Sequence, residues 1–152
     1  MLVIDASVWF DLFNEHDKDR RRLAEQLFSE AEKLHIYEPA LFKVELAGLL
    51  ARRHGQEVVR KLVKEVTERV TVLNGLHEEA FEAALKTGCR AADAYYIACA
   101  KLTGAVLISN DRIQVLNARK AGVKSYYLLK QGYEVFKAIQ GLREGPGYRS
   151  GL

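Results

Sequence analysis

Four carboxylates occupy positions where acids are unusual. Asp5 closes the apolar run Leu2-Val3-Ile4, and Asp111 follows a second run in Leu107-Ile108-Ser109-Asn110-Asp111. Glu45 lies in Leu41-Phe42-Lys43-Val44-Glu45-Leu46-Ala47-Gly48-Leu49. A helical projection sets it between Leu41 and Leu49, on the apolar arc. Asp93 heads the stripe of Tyr96, Ile97 and Ala100 in Ala91-Ala92-Asp93-Ala94-Tyr95-Tyr96-Ile97-Ala98-Cys99-Ala100. An acid on a core-facing arc is costly unless something compensates it. Acids held together also repel, and their pKa values rise. A hard divalent cation, Mg²⁺ or Mn²⁺, relieves both costs with oxygen ligands and keeps several waters. One such water can become a nucleophile, while the ion stabilises charge on a phosphoryl oxygen during in-line attack. Each acid also has an ordinary use. Asp93 and Asp111 could cap helices, Glu45 could pair with a buried Arg or Lys, and Asp5 could end a strand in a turn.

The elements that must position these groups alternate along the chain. Strands are expected at Leu2–Ile4, His35–Tyr37, Val70–Leu73, Ala105–Ile108 and Val123–Leu128. Helical spacing covers Asp17–Leu34, a segment starting at Pro39 and running to about Arg53, Val58–Val66, Glu78–Lys86, Ala91–Leu102, Arg112–Ala121 and Glu134–Gln140. Gly55 and the Asn74-Gly75 turn act as stops. Strands alternating with helices define an α/β domain with a mostly parallel sheet. Strands that are apolar throughout fit a sheet covered on both faces. Ligands of such sheets bind beyond the carboxyl ends of the strands, where Asp5 and Asp111 fall. As neighbours, those two strands would lie roughly 5 Å apart.

The 152 residues suit one domain, expected over residues 1–140, with a flexible glycine-rich tail at 141–152. The net charge of +3 permits an anionic partner without requiring one. Cys89 and Cys99 have neither zinc nor CxxC spacing and read as reduced thiols. The start, Met-Leu-Val-Ile-Asp, carries no signal peptide or membrane span. A cytoplasmic location is expected.

The order of Asp5, Glu45, Asp93 and Ser109-Asn110-Asp111 resembles the PIN-domain ribonuclease family, and within it the VapC-type toxins. The most specific parts are the Val-Ile-Asp-Ala-Ser opening and the Ala-Asp-Ala-Tyr-Tyr-Ile-Ala block. The likeness spans Leu2 to about Leu129. It implies a three-layer fold with a five-stranded parallel sheet of order 3-2-1-4-5. It further implies that Asp5, Glu45, Asp93 and Asp111 are catalytic and bind one or two Mg²⁺ or Mn²⁺ ions, and that RNA phosphodiesters are cleaved. Ser7 and Ser109 match supporting hydroxyl positions beside the acids. The family's small members are commonly homodimeric toxins neutralised by a small antitoxin. Asp111-Arg112 offers no further carboxylate directly after the fourth acid.

Lys43, Arg90 and Arg112 are closest in sequence to the acids and are candidates for RNA phosphate contacts. Arg20-Arg21-Arg22 and Arg52-Arg53 read first as solvated faces. Trp9, Phe10 and Phe13 read as core or partner-binding residues, with a groove beside them for an antitoxin helix. Two rival readings stand: a housekeeping PIN nuclease without an antitoxin, and a non-catalytic α/β binding module. A third, a phosphoryl-transfer enzyme or receiver domain, fits poorly. Position 7 is Ser, where the former needs a second Asp, and Asn74-Gly75 stands where the latter needs an Asp.

Overall fold

A computed structural model of the protein describes residues 1–145. The strands are β1 (Leu2–Ile4), β2 (Ile36–Pro39), β3 (Thr71–Leu73), β4 (Val106–Ser109) and β5 (Ser125–Tyr127). The helices are α1 (Ala6–Asp11), α2 (Lys18–Glu30), α3 (Leu41–Ala51), α4 (Gln56–Thr67), α5 (His77–Thr87), α6 (Ala91–Thr103), α7 (Arg112–Lys120) and α8 (Gly132–Glu144). The strands form one sheet of order β3-β2-β1-β4-β5, all pairs parallel. This is the expected α/β architecture, and the topology makes β1 and β4 neighbours.

The central strands carry no polar face. Leu2, Val3 and Ile4 are fully buried, as are Leu107 and, all but fully, Ile108. They can only sit where helices cover both sides of the sheet. Helix α6 packs against β1, β2 and β4. It buries Ala94, Tyr96, Ile97, Ala98, Cys99 and Ala100, so little of its circumference is left for water. Helix α3 buries the stripe Phe42, Leu46, Leu50 at i, i+4, i+8.

Of the boundaries that differ from the sequence expectation, three have a local physical cause. Residues 6–11 form a helix rather than a connection, capped by the Asp5 side chain, which accepts from Ser7 N at 3.0 Å. One short turn carries too little periodicity to register. Pro39 ends β2 instead of opening α3, and pairs with Leu73. The β1–β2 register reaches only Tyr37, so the missing proline N–H is not needed on that side. Helix α8 continues to Glu144, past the expected stop at Gln140. Leu142 extends the stripe of Val135 and Ile139 onto the core, and Arg143 pairs with Glu30 at 2.9 Å. Those contacts outweigh the modest helix penalty of Gly141. The remainder of the expected tail, 146–152, lies outside the described residues.

Two residues of α3 provide a test of this packing. Leu46 is 0% exposed and Val44 is 73% exposed. Leu46→Ala is expected to cost ~2–5 kcal/mol in urea unfolding, and Val44→Ala less than ~0.5 kcal/mol. Equal losses would contradict the assigned helix face.

Candidate active site

The site is built where β1 and β4 end together. Ile4 is in register with Ile108, and Asp5 N–H donates to Ile108 O at 2.9 Å. Asp5 therefore emerges at the carboxyl edge of the sheet while remaining buried. Ser7 Oγ accepts from Asn110 N at 3.2 Å and ties the loop after β4 to α1. Asn110 Nδ2 donates to Asp11 Oδ2 at 2.7 Å, and Arg20 Nε holds that carboxylate at 3.1 Å. Ser109 Oγ accepts from Asp111 N at 2.9 Å and donates to Gln114 Oε1 at 2.8 Å. The two serines thus fix the loops that carry the acids. Ser109 contacts the backbone of Asp111 and not its carboxylate.

Asp111 has a divided role. Its Oδ1 caps α7, accepting from Ile113 N at 2.8 Å and Gln114 N at 3.3 Å. Its Oδ2 accepts from Arg90 Nη2 at 3.1 Å. Asp93 does not cap its helix. Arg90 holds that position, and Asp93 sits in the first turn, where the helix dipole favours an anion. Gly88, at φ 69°, ends α5 and allows the short turn into α6. Asp93 Oδ2 pairs with Arg90 Nε at 3.5 Å, yet that buried oxygen has no hydrogen-bond partner. Glu45 lies on the half-buried edge of α3, beside the fully buried stripe. Its Oε1 accepts from the Tyr96 hydroxyl at 3.4 Å, and that hydroxyl accepts from Ala6 N at 3.3 Å.

Each of the four sequence-predicted acids lies within electrostatic reach of at least two of the others. Burial raises the Asp5 carboxyl above its ordinary range; hydrogen bonds from Ser7 oppose this, and the charges of Asp93 and Asp111 add to it. Burial also raises Asp93, against the pull of Arg90 and with the push of Asp111. Glu45 is pushed up from 4.5 to about 7 by burial, then by Asp5 and Asp93. Asp93 and Asp111, and to a lesser degree Glu45, in turn hold Arg90 more firmly protonated.

A fifth acid belongs to this neighbourhood. Glu38, on β2, is fully buried. Its Oε1 accepts from Ile4 N at 2.9 Å and Trp9 Nε1 at 3.1 Å, while Oε2 has no partner. Burial pushes this carboxyl well above its usual range, with Asp5 and Glu45 adding to the rise. Placing the strand at His35–Tyr37 left Glu38 outside it. The available signal was an acid directly before proline at a strand end. Asn110 and Asp11 were likewise not singled out, because their role depends on contacts between distant segments.

The other named residues separate from the site. Lys43 is exposed and lines a groove between α3 and α4, and Arg112 is exposed at the start of α7. Among the described residues neither makes an ion pair. Of the three candidate phosphate contacts, only Arg90 touches the acids. Trp9 is fully buried, and Phe10 packs under Arg53, 5.5 Å from ring centroid to guanidinium carbon. Trp9 lines a small pocket with Phe28 and Ile36, and Phe13 lines a neighbouring one with Leu12 and Val66.

The donor set suits a hard divalent cation: carboxylate oxygens only, with Asp5, Glu45 and Asp93 raised by burial and by neighbouring acids and the buried Asp93 Oδ2 left without a hydrogen bond. In this conformation, however, no three of the described His, Cys, Asp or Glu side chains are arranged so that they could hold a metal ion. Arg90 lies between Asp93 and Asp111 and supplies the positive charge instead. The chemical character fits, and side-chain movement is needed to complete the geometry.

A parallel sheet of this order with acids gathered at its carboxyl edge defines a class of α/β protein, and the comparisons identify it. The chain belongs to the PIN-domain family, whose model matches residues 2–120. No curated protein matches. Solved structures share the fold at low identity. *Mycobacterium tuberculosis* VapC20, described as a sarcin-ricin loop cleaving toxin, is 21% identical with TM-score 0.64, over 81% of this chain and 96% of that one. FitAcB of *Neisseria gonorrhoeae* is 14% identical with TM-score 0.63, over 83% and 96%. PAE2754 of *Pyrobaculum aerophilum* is 19% identical with TM-score 0.62, over 92% and 89%.

The raised Glu45 predicts a pH dependence. Between about 4.5 and about 7 the fold retains a proton that the unfolded chain has released, so stability falls as pH rises through that window. In EDTA, melting temperature is expected to decline across it. Glu45→Gln should flatten the decline and raise melting above the window by ~2–4 °C. Equal slopes for both proteins would contradict the raised Glu45 carboxyl, whose main cause is burial.

Proposed function

We propose that this chain is a Mg²⁺- or Mn²⁺-dependent ribonuclease and the toxin of a VapBC-type toxin–antitoxin pair. The observation that carries the reading is the convergence of Asp5, Glu45, Asp93 and Asp111 at one sheet edge in a PIN-family chain. Asp5 and Asp93, the most buried, would hold the cation, with Glu45 and Asp111 completing its carboxylate shell. When bound, the cation would supply an activated water and stabilise charge on the phosphoryl oxygens. The hydrogen bonds of Ser7, Ser109 and Asn110 hold the two strand-end loops at fixed separation, which preserves alignment for in-line attack. Arg90, and more distantly Lys43 and Arg112, would meet the RNA backbone.

The toxin reading is supported by the fold shared with VapC20 and with a toxin–antitoxin complex from *Klebsiella pneumoniae*, 19% identical with TM-score 0.57 over 73% of this chain and 87% of that one. An antitoxin has a suitable surface. A groove of about 650 Å³ between α3 and α4 has Val44, Ala47, Val59 and Val63 in its lining and Lys43, Arg60 and Lys64 beside them. That combination suits an acidic amphipathic helix. It is an alternative to the groove expected beside Trp9, Phe10 and Phe13. A homodimer is supported by the exposed Phe81, Leu85, Ile113 and Leu116 on the contacting helices α5 and α7. Among the described residues no helix is long and apolar enough to cross a membrane, which agrees with a cytoplasmic site of action.

Asp5→Asn and Asp93→Asn are each expected to lower Mg²⁺-dependent cleavage of a mixed RNA panel by ~100-fold or more. EDTA should abolish cleavage by the wild type. Cleavage undiminished in both variants and in EDTA would overturn the reading.

A further inference from the structure

Arg90 stands in an unusual place for a cation. It caps the N-terminus of α6 without a side-chain cap hydrogen bond. The positive end of a helix dipole disfavours a guanidinium there. Its side chain is 75% exposed and free to extend into solvent, yet it folds back onto the acids. Nη2 lies 3.1 Å from Asp111 Oδ2, and Nε lies 3.5 Å from Asp93 Oδ2, whose side chain is only 6% exposed. The guanidinium thus spans two acids from separate elements, one on α6 and one following β4. The attraction of the acid cluster outweighs both the dipole and the gain in hydration.

We propose that Arg90 is the built-in counter-ion of this site and competes with the divalent cation for Asp93 and Asp111. Metal entry and Arg90 release are then one exchange. Two observations support this. Asp93 Oδ2 is buried, faces Arg90 and lacks a hydrogen bond, so the pair is held by charge and not by a fixed geometry. The acids also fail to form a metal-holding arrangement while Arg90 is among them. The exchange has two consequences. The metal-free protein is spared part of the repulsion among its carboxylates. Once displaced, Arg90 is an exposed guanidinium at the rim of the site, suited to a bidentate grip on phosphate. Metal loading would therefore precede a strong RNA contact at this position.

This inference rests on the metal-dependent reading, and the test separates the two. Mn²⁺ binding is measured by calorimetry for wild type, Arg90→Gln and Arg90→Lys, and each protein is melted in EDTA and in saturating Mn²⁺. Loss of two partly exposed ion pairs should let Arg90→Gln bind Mn²⁺ about three- to tenfold more tightly. Its melting temperature should be below wild type in EDTA and level with it in Mn²⁺. Arg90→Lys keeps the charge but loses the fork, and should fall between the two in affinity. A merely structural arginine would lower melting equally in both conditions and leave Mn²⁺ affinity unchanged. Equal or weaker Mn²⁺ binding by Arg90→Gln would overturn the competition while leaving the metal site standing. Absence of Mn²⁺ binding in all three proteins would overturn both.

Discussion

The site depends on carboxylates that the fold buries and forces together, so that burial first and mutual repulsion second oppose their ionisation. β1 and all of β4 but its last residue, Ser109, are apolar, and the two pair in the middle of the sheet, so Asp5 and the loop bearing Asp111 must share its carboxyl edge. Helices α6 and α3 bring Asp93 and Glu45 to the same place. Burial alone would keep isolated acids protonated. Gathered acids require a cation, and the described residues supply one, Arg90, from the rim.

The surroundings hold this arrangement in position. Asp5 and Asp111 each cap the helix that follows them, so an ordinary capping role and a site role coexist on different oxygens of Asp111. Ser7, Asn110, Asp11 and Arg20 link α1, α2 and the loop after β4 in one chain of hydrogen bonds. Beneath them, Glu38 joins β1 to Trp9. Burial pushes its carboxyl well above the usual range, with Asp5 and Glu45 adding to the rise. The strain of collecting acids is thereby confined to side chains above a rigid apolar layer.

The strands and the long helices were legible because apolar runs and helical spacing carry them; the sheet order was legible only through the resemblance of the Asp-x-Ser opening and the block around Asp93 to a known family. The anomalous acids were legible for the same reason: Glu45 and Asp93 interrupt apolar arcs. What escaped was non-local or too short for periodicity. Helix α1 spans six residues. Glu38 is meaningful only once β2 is known to lie beside β1, and Asp11 only once α2 brings Arg20 against it. The basic residues near Glu45 and Asp93 look equivalent in sequence. Helix geometry sends Lys43 to an outer groove, while the N-cap position lets Arg90 reach the acids.

The most direct measurement is anomalous diffraction from crystals grown with Mn²⁺. The account predicts a peak ligated by Asp5 and Asp93 oxygens at about 2.0–2.3 Å, with Glu45 or Asp111 in its shell and the Arg90 guanidinium moved away from both aspartates it now contacts. Ordered Asp5 and Asp93 with no peak between them at millimolar Mn²⁺, and Arg90 still in place, would contradict it.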